Sequence, residues 1–134
     1  MTPFSLIMIA LIMLTLDYVW LTLNKSSYNK LVRSIQGSDL MVNAIPAGIA
    51  YALMFVGLVF IVIPMIRMSK DYSFVNIFKI AGTFGLCVYG IWNMTNMAIF
   101  NKYSVKVAVM DTMWGVFIYT LLAYVSIKYL IVKK

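Results

Sequence analysis

PFSLIMIALIMLTLDYVWLTL, running from Pro3 to Leu23, is an apolar stretch interrupted by a single acid, Asp17. A bilayer core about 30 Å thick is crossed by roughly 20 residues of helix, so this stretch is long enough to span it. Three more runs reach that length: Met41 to Ile66, Phe74 to Phe100 and Val105 to Val132. The expectation is an all-α, polytopic four-helix transmembrane bundle, residues 1–134 forming one membrane domain. Composition agrees, since 63% of the 134 residues are hydrophobic and 11% are charged, against about 25% charged in a soluble domain. The mean hydropathy is +0.94. The first run lacks a basic leader and a small-residue cleavage site and carries Asp17 and Trp20, so it reads as a retained helix rather than a signal peptide.

Several kinds of chemistry are excluded. With no histidine there is no His-containing triad, no HExxH zinc site and no His-ligated haem, and the lone Cys87 allows neither an internal disulfide nor a cysteine metal cluster. No cofactor and no metal are expected. The net charge of +7 would suggest nucleic acid in a soluble protein. Here Lys25, Lys30, Arg33, Arg67, Lys70, Lys102, Lys128, Lys133 and Lys134 fall in or beside the breaks between apolar runs, where cations meet lipid head groups. Membrane lipids are therefore the expected partners, and nucleic acid is not. An even number of spans puts both termini on one side, and Lys79 tips the cation balance slightly toward a cytoplasmic placement.

The longest connection, Asn24 to Leu40, has its own pattern. Ser26 or Ser27 can cap a short interfacial helix through Tyr28, Leu31, Val32 and Ile35 that stops at Gly37, with Lys30 and Arg33 on its polar side.

Of the four acids, Asp39 and Asp71 lie in connections, while Asp17 and Asp111 lie inside apolar runs. A carboxylate at the bilayer centre costs about 2.5–3.5 kcal/mol on insertion scales, so each of these two needs a partner, water or a proton. Both stand about six residues from the same face of the membrane, or roughly 9 Å deep at 1.5 Å per residue. Tyr51 of the second run and Asn93 and Asn96 of the third fall in the same half of the bilayer. Helical phase turns them inward. Gly82, Gly85, Tyr89, Asn93 and Asn96 form one stripe, Ser104, Ala108, Asp111, Gly115 and Tyr119 another. On the second run Ala44, Gly48, Tyr51, Phe55 and Leu58 place Tyr51 beyond a small-xxx-small approach. The expected polar layer is Asp17, Tyr51, Asn93, Asn96 and Asp111, lined by the aromatic residues Trp20, Tyr89, Trp92 and Trp114. Asp17-x-x-Trp20 and Asp111-x-x-Trp114 repeat one motif on helices of opposite direction, a hint of an inverted repeat.

These same residues carry a resemblance. Leu16-Asp17-Tyr18-Val19-Trp20-Leu21, Tyr28, Tyr51, Tyr89-Gly90-Ile91-Trp92-Asn93-Met94-Thr95-Asn96 and Asp111-Thr112-Met113-Trp114-Gly115 resemble, in order and spacing, the membrane-protein family known as domain of unknown function 2177. That family typically shows L-D-x-x-W-L in its first helix, Y-D-L-T-N in its third and D-x-x-W-G in its fourth. The departure is Asn93, where the family usually has aspartate, which removes a negative charge. The resemblance implies a bacterial membrane or that of a large DNA virus or its host, and implies no established activity.

Three functions fit a polar layer of this kind. Two carboxyls, two amides and a phenol can bind a cation, a proton or a small solute for transport. A satisfied Asp-Asn-Tyr network can instead fix helix register in a structural or accessory membrane protein. The two acids can also act as acid and base in a lipid-modifying enzyme, although no nucleophile motif accompanies them. The chain is small for a complete transport path, so a homo-oligomer or a partner membrane protein is a further expectation.

Overall fold

A computed structural model describes residues 1–131; the expected end of the fourth span at Val132, with Lys133 and Lys134, lies outside the described residues. Four helices are long and apolar enough to cross a membrane: α1 Pro3–Gln36, α2 Ala44–Ser69, α3 Phe74–Ile99 and α4 Val105–Ile131. The described residues are otherwise turns and short connections, with no strand.

Local chemistry sets the ends. Thr2 accepts the Ser5 amide at 3.1 Å, and Pro3 occupies the first turn, where its missing N–H costs nothing. Asn43, Ser73 and Ser104 cap the other three helices through their side-chain oxygens. Between α2 and α3, Lys70 turns the chain with φ 55°, and the Ser73 backbone N–H, donating to Asp71 at 2.9 Å, holds the Asp71 carboxyl below its usual range.

No separate interfacial helix forms in the first connection. Instead α1 continues without a break for 34 residues, about 50 Å at 1.5 Å per residue, and so outruns a hydrocarbon core about 30 Å thick. The reason lies at Asn24 and after it. Asn24 donates to the Trp20 carbonyl at 3.0 Å, so its side chain serves the helix behind it rather than capping a new one, and neither glycine nor proline follows until Gly37. There the helix stops as expected: Gly37 takes φ 77°, and its amide donates to the Arg33 carbonyl at 3.0 Å. Beyond it the chain is folded back on α1, with Asn29 accepting the Leu40 amide at 2.8 Å and Arg33 paired with Asp39. The extension reaches the start of α4 as well, since Ser34 donates to the Lys102 carbonyl at 3.3 Å.

α4 is the helix that the others share: 44% of its most apolar window is buried, against 17% for α1. Its closest neighbour is α3, because Gly85 lies against the Gly115 backbone and Gly115 against the Tyr89 ring, so that a Cβ on either glycine would collide. Toward the terminal ends of the helices Ile9, Leu58, Ile66, Ile77, Ile118 and Ile127 are fully buried and form a dry core. Wide π-helical turns at Leu58–Val62, Phe78–Gly82 and Ser126–Ile131 fall in this region. The first precedes Pro64, which has no N–H to return to the carbonyl four residues earlier, so the ladder widens there. Outward-facing Phe4, Leu23, Phe60 and Met68 are exposed, as lipid-facing side chains are.

The expected small-residue approach on α2 is not made. Ala44 and Gly48 are exposed, and nothing lies within 4 Å of a Cβ built on Gly48. Small residues permit close packing only where a partner helix arrives, and here the first two turns of α2 stand away from the bundle.

Candidate functional site

Asp17 is 7% exposed. Its two oxygens accept from different helices: Tyr51 Oη of α2 at 2.6 Å and Trp114 Nε1 of α4 at 2.8 Å. Asp111, half-buried on α4, is held in a parallel way, by Tyr28 Oη from the extension of α1 at 2.6 Å and Asn93 Nδ2 of α3 at 2.8 Å. Asn93 is fully buried and saturated. It donates also to the Tyr89 carbonyl at 2.9 Å and accepts from Tyr103 Oη at 2.9 Å. Carboxyl groups supplied with short donors in this way meet the requirement that intramembrane polar groups find partners.

The two D-x-x-W motifs cross. Trp114, three residues after Asp111, donates to Asp17, and Trp20, three residues after Asp17, donates to Tyr28 at 3.1 Å, the residue that serves Asp111. Between them the indoles stack with centroids 4.5 Å apart and planes 3° from parallel. Each tryptophan thus ties its own acid to the surroundings of the other. Among the described residues no single side chain bridges the two acids.

A family profile described as a predicted membrane protein, domain of unknown function 2177, matches residues 3–128. The chain belongs to this family. No curated protein and no solved structure matches it. The Asn93 amide provides the N–H that Asp111 accepts and the oxygen that Tyr103 donates to.

Asp17, Tyr51, Trp20 and Trp114 are thus brought to one cluster, and Asn93 and Asp111 to an adjoining one. Tyr89, half-buried, packs against Gly115, and its hydroxyl meets Met54 Sδ at 3.7 Å. Asn96 is not joined to either cluster, for its amide donates to the Trp92 carbonyl one turn back at 2.9 Å. Trp92 is 64% exposed and faces outward. Two contacts of the polar layer are not anticipated by the sequence. Tyr28, expected on a short interfacial helix, is carried to Asp111 by the unbroken α1. Tyr103, in the connection before α4, carries no periodic signal.

The two acids differ in access. A cavity of about 510 Å³ lies between α2 and α3 and is lined by Asp111 but not by Asp17. Its walls are mostly aromatic and aliphatic, with Met54, Phe84, Tyr89, Trp92 and Tyr119 among them. A smaller apolar cavity of about 370 Å³ lies behind the tryptophan stack and touches neither acid. Among the described residues no group of three His, Cys, Asp or Glu could hold a metal ion, and Cys87 is exposed.

Proposed function

We propose that the protein binds a small cationic solute at Asp111 as part of a transport activity, while Asp17 holds the helices in register. The observation that carries this reading is the asymmetry between the acids: Asp111 lines a cavity and Asp17 does not. A carboxyl with both oxygens hydrogen-bonded keeps a spare lone pair on each, so Asp111 can take a cation without giving up Tyr28 or Asn93. Asp17, shut between α2 and α4, is placed to select one packing of those helices, which is the structural role expected of a satisfied intramembrane network.

Reconstitution tests the transport reading. Protein in liposomes loaded with a pH-reporting dye is expected to dissipate an imposed proton gradient when sodium, potassium or tetramethylammonium chloride is added outside. Asp111→Asn is expected to slow that response about tenfold, the scale of one charge-assisted hydrogen bond. Wild-type protein that moves no proton against any of the three salts overturns the reading.

A further inference from the structure

The walls of the α2–α3 cavity say more about the solute than its charge. Phe84, Tyr89, Trp92 and Tyr119 contribute four aromatic rings, Met54 a thioether, and Asp111 the one acidic side chain, while no lysine or arginine lines the cavity. Aromatic faces attract a diffuse positive charge, and several of them around one carboxyl are suited to an ammonium whose bulk prevents close hydration. Trp92 and Leu53, 64% and 66% exposed, stand at the outer margin, seven residues from the end of α3 and nine from the start of α2, a depth at which acyl chains rather than head groups would meet the opening. Asp111 lies about six residues into α4, or roughly 9 Å along it, deeper than a phospholipid head group sits.

We propose that this cavity binds an organic ammonium bearing an apolar chain, entering sideways from the lipid phase, with the cation on Asp111 and among Phe84, Tyr89 and Trp92. This rests on the reading of Asp111 as a cation site and names the class of cation. A phospholipid choline is a poorer occupant, because its phosphate would need a cationic side chain and the lining has none. The volume of about 510 Å³ is in the range of small-molecule pockets. The apolar chain would lie along Ala50 and Leu53 of α2, on the side where that helix stands off.

Binding is measured directly, with no need for flux. The purified full chain in a maltoside detergent is titrated with radiolabelled dodecyltrimethylammonium, with dodecanol and dodecylphosphocholine as competitors. Saturable binding is expected, weakened about tenfold by Asp111→Asn and about fivefold by Trp92→Leu. Ala50→Phe, which alters no hydrogen bond and fills the mouth of the cavity, is expected to abolish it and covers the case in which Asp111→Asn does not fold. Wild-type affinity in both Asp111→Asn and Ala50→Phe overturns the proposal. Equal competition by dodecanol overturns it by showing that only the chain is recognised, and equal competition by dodecylphosphocholine by showing a lipid head-group site. Ammonium binding without ion flux would leave this site standing and remove the transport reading, whereas flux of inorganic cations without ammonium binding would do the reverse.

Discussion

Asp17 and Asp111 stand three residues before a tryptophan, and each accepts two short hydrogen bonds from two different helices, yet their surroundings diverge. Asp17 is closed in by Tyr51 and Trp114. Asp111 has Tyr28 above it and Asn93 beside it, and a cavity on the side that α2 leaves uncovered. The motif is the same; the neighbour is not. What separates the closed carboxyl from the accessible one is therefore the path of α2, which packs inward from Tyr51 onward while its first two turns stand away. A local pattern of residues fixes which donors an acid can have, but the third helix to arrive decides whether solute can reach it.

The glycines offer the strongest way to break this contrast. Gly85→Leu would drive a side chain into the Gly115 backbone and lift α3, with Asn93, from α4. Overpacking against backbone that cannot yield is expected to cost about 3 kcal/mol, measured by unfolding in mixed micelles. Gly48→Leu, on the open face of α2, is expected to change stability by no more than about 0.5 kcal/mol. Equal effects would mean that α2 packs as closely as α3, and the accessible cavity would not exist in the membrane.

Next come the acids. Asp17→Ala strands the Tyr51 hydroxyl and the Trp114 indole N–H in a closed site, and the loss is expected to be about 2–3 kcal/mol. Asp111→Ala frees one N–H of Asn93, which keeps its bonds to Tyr89 and Tyr103, and the half-buried Tyr28 hydroxyl, which keeps the Trp20 N–H, so about 1 kcal/mol is expected. The same unfolding experiment compares them. The reverse order would break the assignment of register to Asp17 and of access to Asp111.

Much of this was legible in the sequence. Hydropathy located the four spans, whose ends in the structure lie within about a turn of the expected ones wherever the chain is described, apart from α1. On α3 and α4 the inward stripes are buried at Gly85, Asn93, Ala108, Gly115 and Tyr119, but Asn96, at the end of the α3 stripe, is only half-buried and turns back to the Trp92 carbonyl. On α2 Tyr51, Phe55 and Leu58 do turn inward, but Ala44 and Gly48, inward in the same phase, have no helix opposite them. Phase names a side of a helix and is silent on what occupies that side. The extension of α1 failed for a different reason. Polar residues such as Asn24, Lys25 and Ser26 mark where hydrocarbon ends but not where helix ends, since backbone hydrogen bonds continue across that boundary without cost. Tyr28 was lost with it, and so was half of the Asp111 cluster. Likewise Trp92 shares a segment with Asn93 but stands 64% exposed, because adjacent helical residues lie about 100° apart.

Among the residues of the polar layer, Tyr28 gives the smallest effect on stability and the sharpest test of access. Tyr28→Phe removes one donor from Asp111 and the acceptor of the Trp20 indole, which lies near the end of the apolar stretch where water can replace it. A cost of about 0.5–1 kcal/mol is expected, in line with single hydrogen bonds between membrane helices. The chemical consequence is larger than the energetic one. With Oδ1 released, Asp111 is expected to react faster with dicyclohexylcarbodiimide, an apolar reagent that reaches carboxyls from the lipid phase, while Asp17 keeps both of its donors and its slow rate. Mass spectrometry of labelled peptides reads both acids in one sample. In the wild type Asp111 should be modified before Asp17, and Tyr28→Phe should widen the interval between them. Modification of Asp17 first would place the open side of the polar layer on the other half of the bundle, against the cavity between α2 and α3.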